Sequence, residues 1–276
     1  MNTFALLRES FPLAVTGMSA VLGAIIGSFL GVVAERVPAM IMDEKPRGNL
    51  LFPASHCPVC QHSLRAWENI PMVSWLVLRG RCSQCQAAIP LRLLVVEFIT
   101  ALFFGATAWW VSDVQVLLSL WLLAAFLLPL AMIDAQHQLL PDCLTQPLLW
   151  SGLLIHSVDH ALPLHDALFG AVAGYLSLWL LYWAFRLITG REGLGYGDFK
   201  LLAALGAWCG WQALPSIVLL AAVSGIVGYY VLINLNKNNQ TIPFGPSLAF
   251  AGVMVFAYQT VSYTHLRAHE TSAHIV

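Results

Sequence analysis

Charge is scarce in this sequence. Only 10% of the 276 residues are Asp, Glu, Lys or Arg, while 59% are hydrophobic. Soluble domains carry about 25% charged residues, so this composition excludes an ordinary soluble globular domain. The chain also lacks a glycine-rich nucleotide fingerprint between a strand and a helix, and the usual sequence sign of a nucleotide-binding fold is therefore missing. The composition indicates an integral membrane protein.

Apolar runs with few or no charges recur along most of the chain. A helix needs about 20 apolar residues to cross the hydrocarbon core of a bilayer. The run 201–235 is too long for one perpendicular span, and the turn GWQALP at 210–215 divides it. The other runs are 11–34, 93–112, 114–133, 143–157, 167–185 and 244–261. Together they predict an all-α integral membrane protein with about eight transmembrane helices.

Basic residues are concentrated between the first two apolar runs. Seven of the thirteen lie there: Arg36, Lys45, Arg47, Arg65, Arg79, Arg81 and Arg92. By the positive-inside rule this loop faces the cytoplasm. Alternation from there predicts an outer N-terminus, outer connections without Lys or Arg, and inner connections that hold Arg186, Arg191, Lys200 and Lys237.

The large loop contains two cysteine pairs, CPVC at 57–60 and CSQC at 82–85. Paired thiolates at this spacing are typical of a tetrahedral zinc site made by Cys57, Cys60, Cys82 and Cys85. Disulfides or free thiols are the alternatives, and the predicted cytosolic position disfavours disulfides. Four thiolates leave no open coordination position, so the zinc is predicted to be structural. His56 and His62 flank the first pair, where surface residues are commoner than ligands.

Two aspartates stand beside apolar runs, where ionisable groups are costly and are candidates for function. Asp134 ends the run LLAAFLLPLAMI, where a negative charge opposes the helix dipole and capping is a poor explanation. Asp198 lies in GLGYGDFK and has two interpretations, a helix N-cap or a functional acid. Asp142 follows Pro141 and is predicted to be an N-cap. If Asp134 and Asp198 meet, they share a proton and supply an acid and a base for peptide hydrolysis.

These motifs, in this order, resemble the prepilin peptidases of type IV pilus and type II secretion systems, which are membrane aspartic proteases of the GxGD type. The resemblance extends to about residue 260. It rests on GSFLGVVAERVP (27–38), the cysteine loop (55–85), IDAQHQLLPD (133–142), GLGYGDFKLLAALGAWCGW (193–211) and PFGPSLA (243–249).

The resemblance implies a bifunctional enzyme of the bacterial inner membrane. It would cut the basic leader from prepilins or pseudopilins at the cytoplasmic face and then methylate the new N-terminus with S-adenosylmethionine. Asp134 and Asp198 would be the catalytic acids. No residues are assigned to S-adenosylmethionine, and no nucleic-acid partner is expected.

Further positions are supporting candidates under this resemblance. Gly195 and Gly197 would allow an unusual turn and leave room for an extended substrate. Lys200 would either tune the local charge or extend to the membrane surface. Asp142 matches the PD of the family motif, and Glu97 matches a family acid that either pairs with a loop arginine or belongs to the methyl-transfer site.

The predicted organisation has four parts: an N-terminal transmembrane helix (1–35), a cytoplasmic zinc loop (36–92), a transmembrane aspartic peptidase core (93–261) and a tail (262–276). The tail, SYTHLRAHETSAHIV, departs from the apolar pattern. A non-native origin, from vector or read-through translation, is favoured over a metal-binding tail.

Other classes of function stay open from the sequence alone. A transporter with an aspartate proton relay would place its acids near the bilayer midplane, whereas these acids fall at predicted helix ends on one side. A non-enzymatic assembly factor would use the zinc loop to dock a partner. A presenilin-like or signal-peptide peptidase is the nearest rival among proteases, but the cysteine loop and the LLPD sequence fit it poorly.

Overall fold

The computed structural model describes residues 3–43, 49–50, 52, 54–158, 162–191, 195–234 and 243–273, and the side chains of 4–43 and of most residues up to 260. Parts of the sequence predictions lie outside the described residues: Lys45, Arg47, Lys237, residues 193–194 of GLGYGDFK and residues 274–276 of the tail. The chain forms two compact units, Met1–Trp121 and Leu122–Val276.

Helices make up most of the described structure, which contains no β-strand longer than an isolated bridge. The ten α-helices are α1 (Thr3–Ser10), α2 (Pro12–Met42), α3 (Val73–Val77), α4 (Leu91–Trp110), α5 (Val114–His137), α6 (Asp142–Val158), α7 (Leu164–Thr189), α8 (Tyr196–Cys209), α9 (Leu214–Asn234) and α10 (Gly245–Ala273). The all-α membrane fold is confirmed.

Five stretches in the described residues are long and apolar enough to cross a membrane: Pro12–Met42, Leu91–Trp110, Val114–His137, Leu164–Thr189 and Trp211–Val231. The 14 residues of α8 rise only about 21 Å, which is short of the roughly 30 Å hydrocarbon core. A count of eight spanning helices is therefore not established. The predicted break near 210–215 is present, because α8 ends at Cys209 and a 3-10 turn, Trp211–Ala213, precedes α9.

In the first unit, α2 packs closely against α4 through glycines spaced by four residues. A Cβ atom on Gly23 would lie 2.6 Å from the Thr100 carbonyl oxygen, and one on Gly27 would lie 3.1 Å from the Glu97 Cα. Small residues at this spacing let helix backbones approach in a membrane. The helix α2 also continues to Met42, past the predicted limit at residue 35, so the loop begins later than the sequence indicated.

In the second unit, α8 is the central helix. Residues 201–209 are all buried, and α8 contacts α6, α7, α9 and α10. A helix that is apolar on every side is expected in such an enclosed position. The helix that begins beside Asp198 is thus held by packing around its whole circumference.

The crossing of α7 and α8 depends on two glycines of α7. A Cβ on Gly174 would lie 2.6 Å from the Leu202 carbonyl oxygen, and a Cβ on Gly170 would meet the Gly206 carbonyl even more closely. Any larger side chain at either position would push α7 and α8 apart. Gly170 and Gly174 have the four-residue spacing of close membrane-helix contacts.

The carboxyl end of α8 is buried, and polar side chains satisfy its last carbonyl groups. His156 Nε2 lies 2.9 Å from the Trp208 carbonyl oxygen. Because a carbonyl oxygen can only accept, this nitrogen carries the proton and donates it. Gln259 donates to the Cys209 carbonyl at 3.1 Å. These contacts remove the cost of unpaired backbone groups in an apolar environment.

Candidate functional site

Asp134 lies in the last turn of α5 and is only 6% exposed. The backbone N–H of Gly245 donates to its Oδ2 atom at 2.8 Å. Gly245 is the first residue of α10, so the positive end of that helix dipole faces the carboxylate. The amino end of α10 therefore offsets the unfavourable position of an acid at the carboxyl end of α5.

Asp198 is the third residue of α8 and is 8% exposed. The N-cap position belongs to Gly195, so the interpretation of Asp198 as the N-cap is wrong. The Asp198 backbone N–H donates to the Gly195 carbonyl at 3.2 Å, and Asp198 Oδ2 lies 3.5 Å from the position of a Cβ atom on Gly195. Asp198 thus faces back towards the start of its own helix.

The structure brings Asp134 and Asp198 together. Leu140, six residues after Asp134, packs at Gly197, which is next to Asp198 in the sequence, and an electrostatic interaction between the two acids accords with this arrangement. Both belong to the second unit, and both are buried. The site therefore joins the end of α5, the start of α8 and the start of α10.

The two glycines before Asp198 differ from their predicted role. Gly195 has φ −80° and ψ 144°, an extended conformation open to other residues, and Gly197 lies inside α8. What Gly197 supplies is space: a Cβ there would lie 2.7 Å from the Leu140 Cβ. The absence of a side chain lets the LLPD segment pack on the first turn of α8.

Asp142 and Lys200 form an ion pair. Lys200 Nζ lies 2.6 Å from Oδ1 and 2.9 Å from Oδ2 of Asp142. Asp142 is the first residue of α6, and Pro141 precedes it and accepts the first helical hydrogen bonds, so Asp142 is not the N-cap that the sequence predicted. Lys200, which was predicted either to tune the local charge or to extend to the membrane surface, is thus paired with an acid.

The cysteine loop of the first unit contains two turns of the same design, 25 residues apart. In the first, Cys57 N–H donates to the His62 carbonyl and Gln61 N–H donates back to Cys57. In the second, Cys82 and Gln86 repeat these bonds, and the bridges His56–Ser63 and Arg81–Ala88 close the two turns. We call these turns the first knuckle (56–63) and the second knuckle (81–88).

The four sulfur atoms fit a tetrahedral metal site. All four lie within 4.8 Å of one another, with Cys57 Sγ 3.7 Å from Cys85 Sγ and Cys60 Sγ 3.9 Å from Cys82 Sγ. A zinc–sulfur bond of about 2.3 Å in a tetrahedron places sulfurs about 3.8 Å apart. A disulfide needs about 2.05 Å, and all four cysteines are free thiols.

Backbone hydrogen bonds favour the thiolate form in both knuckles. The backbone N–H groups of Cys60 and Val59 lower the pKa of the Cys57 thiol to about 6. Those of Cys85 and Gln84 lower the pKa of the Cys82 thiol. The thiolate is the form that binds metal, so one cysteine of each knuckle is prepared for coordination.

A buried acid connects the two knuckles. Glu68, 6% exposed, accepts hydrogen bonds from the Ser83 hydroxyl and the Arg65 backbone N–H, and His62 Nε2 lies 3.3 Å from it. The Ser83 and Arg65 hydrogen bonds lower the pKa of Glu68. His62 thus belongs to this hydrogen-bond group rather than to the sulfur cluster, and His56 contacts the Ala54 carbonyl.

Glu97 has a partner that differs from the predicted arginine. Its Oε2 atom accepts the backbone N–H of Met72 at 2.7 Å. Met72 has φ 58°, a left-handed conformation that is strained for this residue type, and it directly precedes α3. Glu97 therefore fixes the start of α3 on α4, while the nearby Arg92 pairs with Glu35 at 2.7 Å.

Comparisons with known proteins agree with both halves of the chain. The bacterial peptidase A24 N-terminal domain matches residues 21–111, and the type IV leader peptidase family matches residues 121–230. A prepilin leader peptidase/N-methyltransferase of Stutzerimonas stutzeri is 48% identical over 266 residues, which cover 88% of this chain and 90% of that protein. The chain belongs to the prepilin leader peptidase/N-methyltransferase family.

Other relatives with the same name support this membership. The protein of Pseudomonas aeruginosa is 47% identical over 266 residues, covering 88% of this chain and 90% of its own. The protein of Aeromonas hydrophila is 50% identical over 246 residues, covering 82% and 85%. No solved structure matches this chain.

The family matches divide the candidate residues. The N-terminal match contains the cysteine loop and Glu97, and the leader peptidase match contains Asp134, Asp142, Asp198 and Lys200. Gly245 lies beyond the second match, although its backbone N–H contacts Asp134.

Gly245 and Glu68 had no role predicted from the sequence. For Gly245 there was a usable signal, because Gly-Pro before an apolar run is typical of a helix start, and a helix start offers free N–H groups to an acid. For Glu68 the sequence offered only an acid between two cysteine pairs. Its role depends on the folded proximity of Ser83.

Proposed function

We propose that this protein cleaves the leader peptide of prepilins or pseudopilins and then N-methylates the new N-terminal residue. The supporting observation is the meeting of two buried aspartates, Asp134 and Asp198, in a chain whose relatives are named prepilin leader peptidase/N-methyltransferase. The family membership gives the reaction class, and the pair of acids gives a chemistry for its first step.

The proposed cleavage uses the two acids as a pair that shares one proton. Two carboxylates in close proximity in a buried site do not both ionise at neutral pH. The ionised acid takes a proton from water as the water oxygen attacks the scissile carbonyl carbon. The protonated acid then gives its proton to the leaving nitrogen as the carbon–nitrogen bond breaks. The pair returns to its starting protonation after the transferred protons are redistributed.

The surroundings of the acids support this assignment. Gly245 N–H donates to one oxygen of Asp134, and the buried Asp198 carboxylate lies beside Gly195 at the start of its own helix. Preorganised dipoles of this kind stabilise charge without reorganisation during the reaction. The first turn of α8 is open at Gly195 and Tyr196, which are exposed. We assign this side as the approach of the peptide to Asp198.

We assign Cys57, Cys60, Cys82 and Cys85 as the ligands of one structural zinc ion. When bound, the metal would join the two knuckles, which lack enough apolar mass to hold a fixed arrangement alone. Four thiolates leave no open position, so no catalytic step is assigned to this site. The methyl donor of the second reaction is S-adenosylmethionine, as the name of the relatives implies for them.

The proposed location is the bacterial inner membrane, with several membrane-spanning helices, an outer N-terminus and the acids at the cytoplasmic face. The basic leader of a prepilin would then lie in the cytosol and its apolar segment in the bilayer. The proposed organisation keeps a zinc loop between α2 and α4, a peptidase core from 93 to 261, and a tail from 262 to 276 that takes no part in function.

The test is mass spectrometry of a purified prepilin incubated with this protein and S-adenosylmethionine in lipid nanodiscs. We expect loss of the leader and a gain of one methyl group. Asp134→Asn and Asp198→Asn should abolish leader loss, while Asp166→Asn, an acid of the same unit that accepts from Trp211, should retain it.

Three outcomes would count against parts of the proposal. Cleavage retained by either Asn variant would remove the assigned acids from the chemistry. Leader loss without the methyl gain would remove the methyltransferase half. Absence of leader loss with both a prepilin and a pseudopilin substrate would overturn the proposed function.

A further inference from the structure

The connection between α5 and α6 is short and tightly packed. Gln138 ends α5 in a left-handed conformation, φ 52°, and its N–H donates to the Asp134 carbonyl at 2.9 Å. Leu140 and Pro141 are buried, and α6 begins at Asp142. We call residues 138–142 the α5–α6 turn. Contacts that fix this turn therefore also fix the end of α5 that contains Asp134.

Two contacts hold the α5–α6 turn on the first turn of α8. Leu140 packs into the space beside Gly197, where a Cβ would lie 2.7 Å from the Leu140 Cβ. Asp142 receives Lys200 Nζ on both carboxylate oxygens, at 2.6 and 2.9 Å. Gly197 and Lys200 stand on either side of Asp198 in the sequence. The α8 residues that make these contacts therefore flank Asp198, and their partners in the α5–α6 turn follow Asp134 in the sequence.

We propose that Asp142 and Lys200 are a positioning pair that sets the separation of Asp134 and Asp198. The inference rests on the proposed function, because it gives the pair a role in peptide cleavage by those two acids. Neither member is assigned contact with substrate. Asp142 acts through the α5–α6 turn, and Lys200 acts through the first turn of α8.

Exposure and charge favour positioning over a role in folding stability. The side chain of Asp142 is 59% exposed and that of Lys200 is 34% exposed. Ion pairs with this exposure contribute little to folding stability. A displacement of about 1 Å between reacting groups, in contrast, can lower a rate by about 10²-fold. A weak pair at this place can thus have a large effect on rate and a small effect on stability.

The chain offers a matched control. Arg92 and Glu35 form an ion pair of similar length, 2.7 Å, with side chains 48% and 42% exposed. That pair joins α2 and α4 within the first unit. Removal of both charges of this pair measures the effect that the loss of an exposed ion pair has on cleavage and stability in this protein.

The experiment compares Asp142→Asn, Lys200→Gln and the charge-swapped double variant Asp142→Lys with Lys200→Asp, in nanodiscs with a prepilin substrate. We expect each single variant to lower kcat for leader cleavage by about 10-fold with little change in KM. The swapped pair should recover most of that loss. Glu35→Gln with Arg92→Gln should stay near the unaltered protein.

Three further readouts separate positioning from general damage. Methyl transfer to a pilin already cleaved, and the thermal midpoint of unfolding, should change little in the single variants. Hydrogen–deuterium exchange should become faster in the α5–α6 turn and the first turn of α8, and should slow again in the swapped pair. The exchange readout does not depend on any activity.

The possible results are distinct. Unchanged kcat and exchange in the single variants would overturn the inference, as would a swapped pair no better than the single changes. Parallel losses of stability, methyl transfer and cleavage would also overturn it, because they indicate a structural role. If the unaltered protein cleaves no prepilin, the proposed function fails, while the exchange result still decides whether the pair holds the two helix ends.

Discussion

The sulfur cluster and the pair of aspartates are built in opposite ways. The cluster takes its four sulfur atoms from residues 57–85, and each knuckle is closed by hydrogen bonds within its own eight residues. The acid pair depends on three helix ends, and the hydrogen bond between Gly245 and Asp134 joins residues 111 positions apart. The first centre depends on local turns, and the second depends on helix packing.

This difference predicts which substitutions should affect each centre. A change in a knuckle should affect the metal site and leave the packing of α7 and α8 in place. A change in helix packing should affect the acids and leave the cysteine turns in place. Four substitutions test this contrast, beginning with the largest expected effect.

Gly170→Leu should disrupt the second unit most severely, because the added side chain meets the backbone of α8 at Gly206. We expect complete loss of leader cleavage and a fall in the thermal midpoint of about 10 °C or more. Metal content, measured by atomic emission, should stay at the level of the unaltered protein. Gly228→Leu is the control, since no atom lies within 4 Å of a Cβ there. A variant that loses its metal along with cleavage would contradict the separation of the two centres.

Cys60→Ser should have the next largest effect, confined to the first unit. Structural zinc contributes about 10–16 kcal/mol through four ligands, so loss of one thiolate should weaken zinc affinity by about 10³-fold. Competition with a chromophoric chelator measures the change. Cys143→Ser, which removes an exposed thiol of α6, serves as the control. Equal zinc affinity in the two variants would mean that the cluster is not the metal site.

Gly245→Ala tests the acid pair without a change of charge. The new Cβ would lie 2.6 Å from Asp134 Oδ2, so the carboxylate or the start of α10 has to move. We expect a fall in kcat for leader cleavage of about 10²-fold, with methyl transfer to a cleaved pilin retained. Gly228→Ala, in open space on α9, should cleave normally. A normal rate for Gly245→Ala would show that the close approach of α10 to Asp134 does not matter for cleavage.

Glu68→Gln should have the smallest effect. It keeps the shape of the side chain but removes the charge that Ser83, Arg65 and His62 contact. Groups that orient metal ligands commonly contribute about 10- to 100-fold in affinity, and we expect a loss of zinc affinity near the lower limit, about 10-fold. Ser83→Ala and the double variant Glu68→Gln with Ser83→Ala complete a double-mutant cycle. Additive losses would indicate that Glu68 and Ser83 do not act together.

The sequence was a good guide to the helices and to local spacing. Uncharged runs predicted the long helices, because membrane helices have to be apolar over a set length, and the two CxxC motifs predicted the sulfur cluster. The limits of helices were harder. A charge at Arg36 did not end α2, since charged side chains are tolerated near a helix end at the membrane surface.

The finer structure of the acid site depended on contacts between distant segments. Asp198 was in a recognisable motif, but the space that Gly197 gives to Leu140 and the N–H that Gly245 gives to Asp134 arise only when separate helices meet. The same reason explains Glu97, whose partner is a backbone N–H rather than an arginine. Backbone partners leave no mark in the sequence, because every residue type except proline supplies them.

The enclosure of α8 has a consequence for the route by which a peptide arrives. Other helices contact α8 along the buried residues 201–209, whereas Gly195 and Tyr196 at its start are exposed. Under the proposed function, a substrate would reach Asp198 at this tip of α8 and present an extended stretch there. Cleavage at the tip of a helix matches a site at the junction between a soluble leader and a membrane helix.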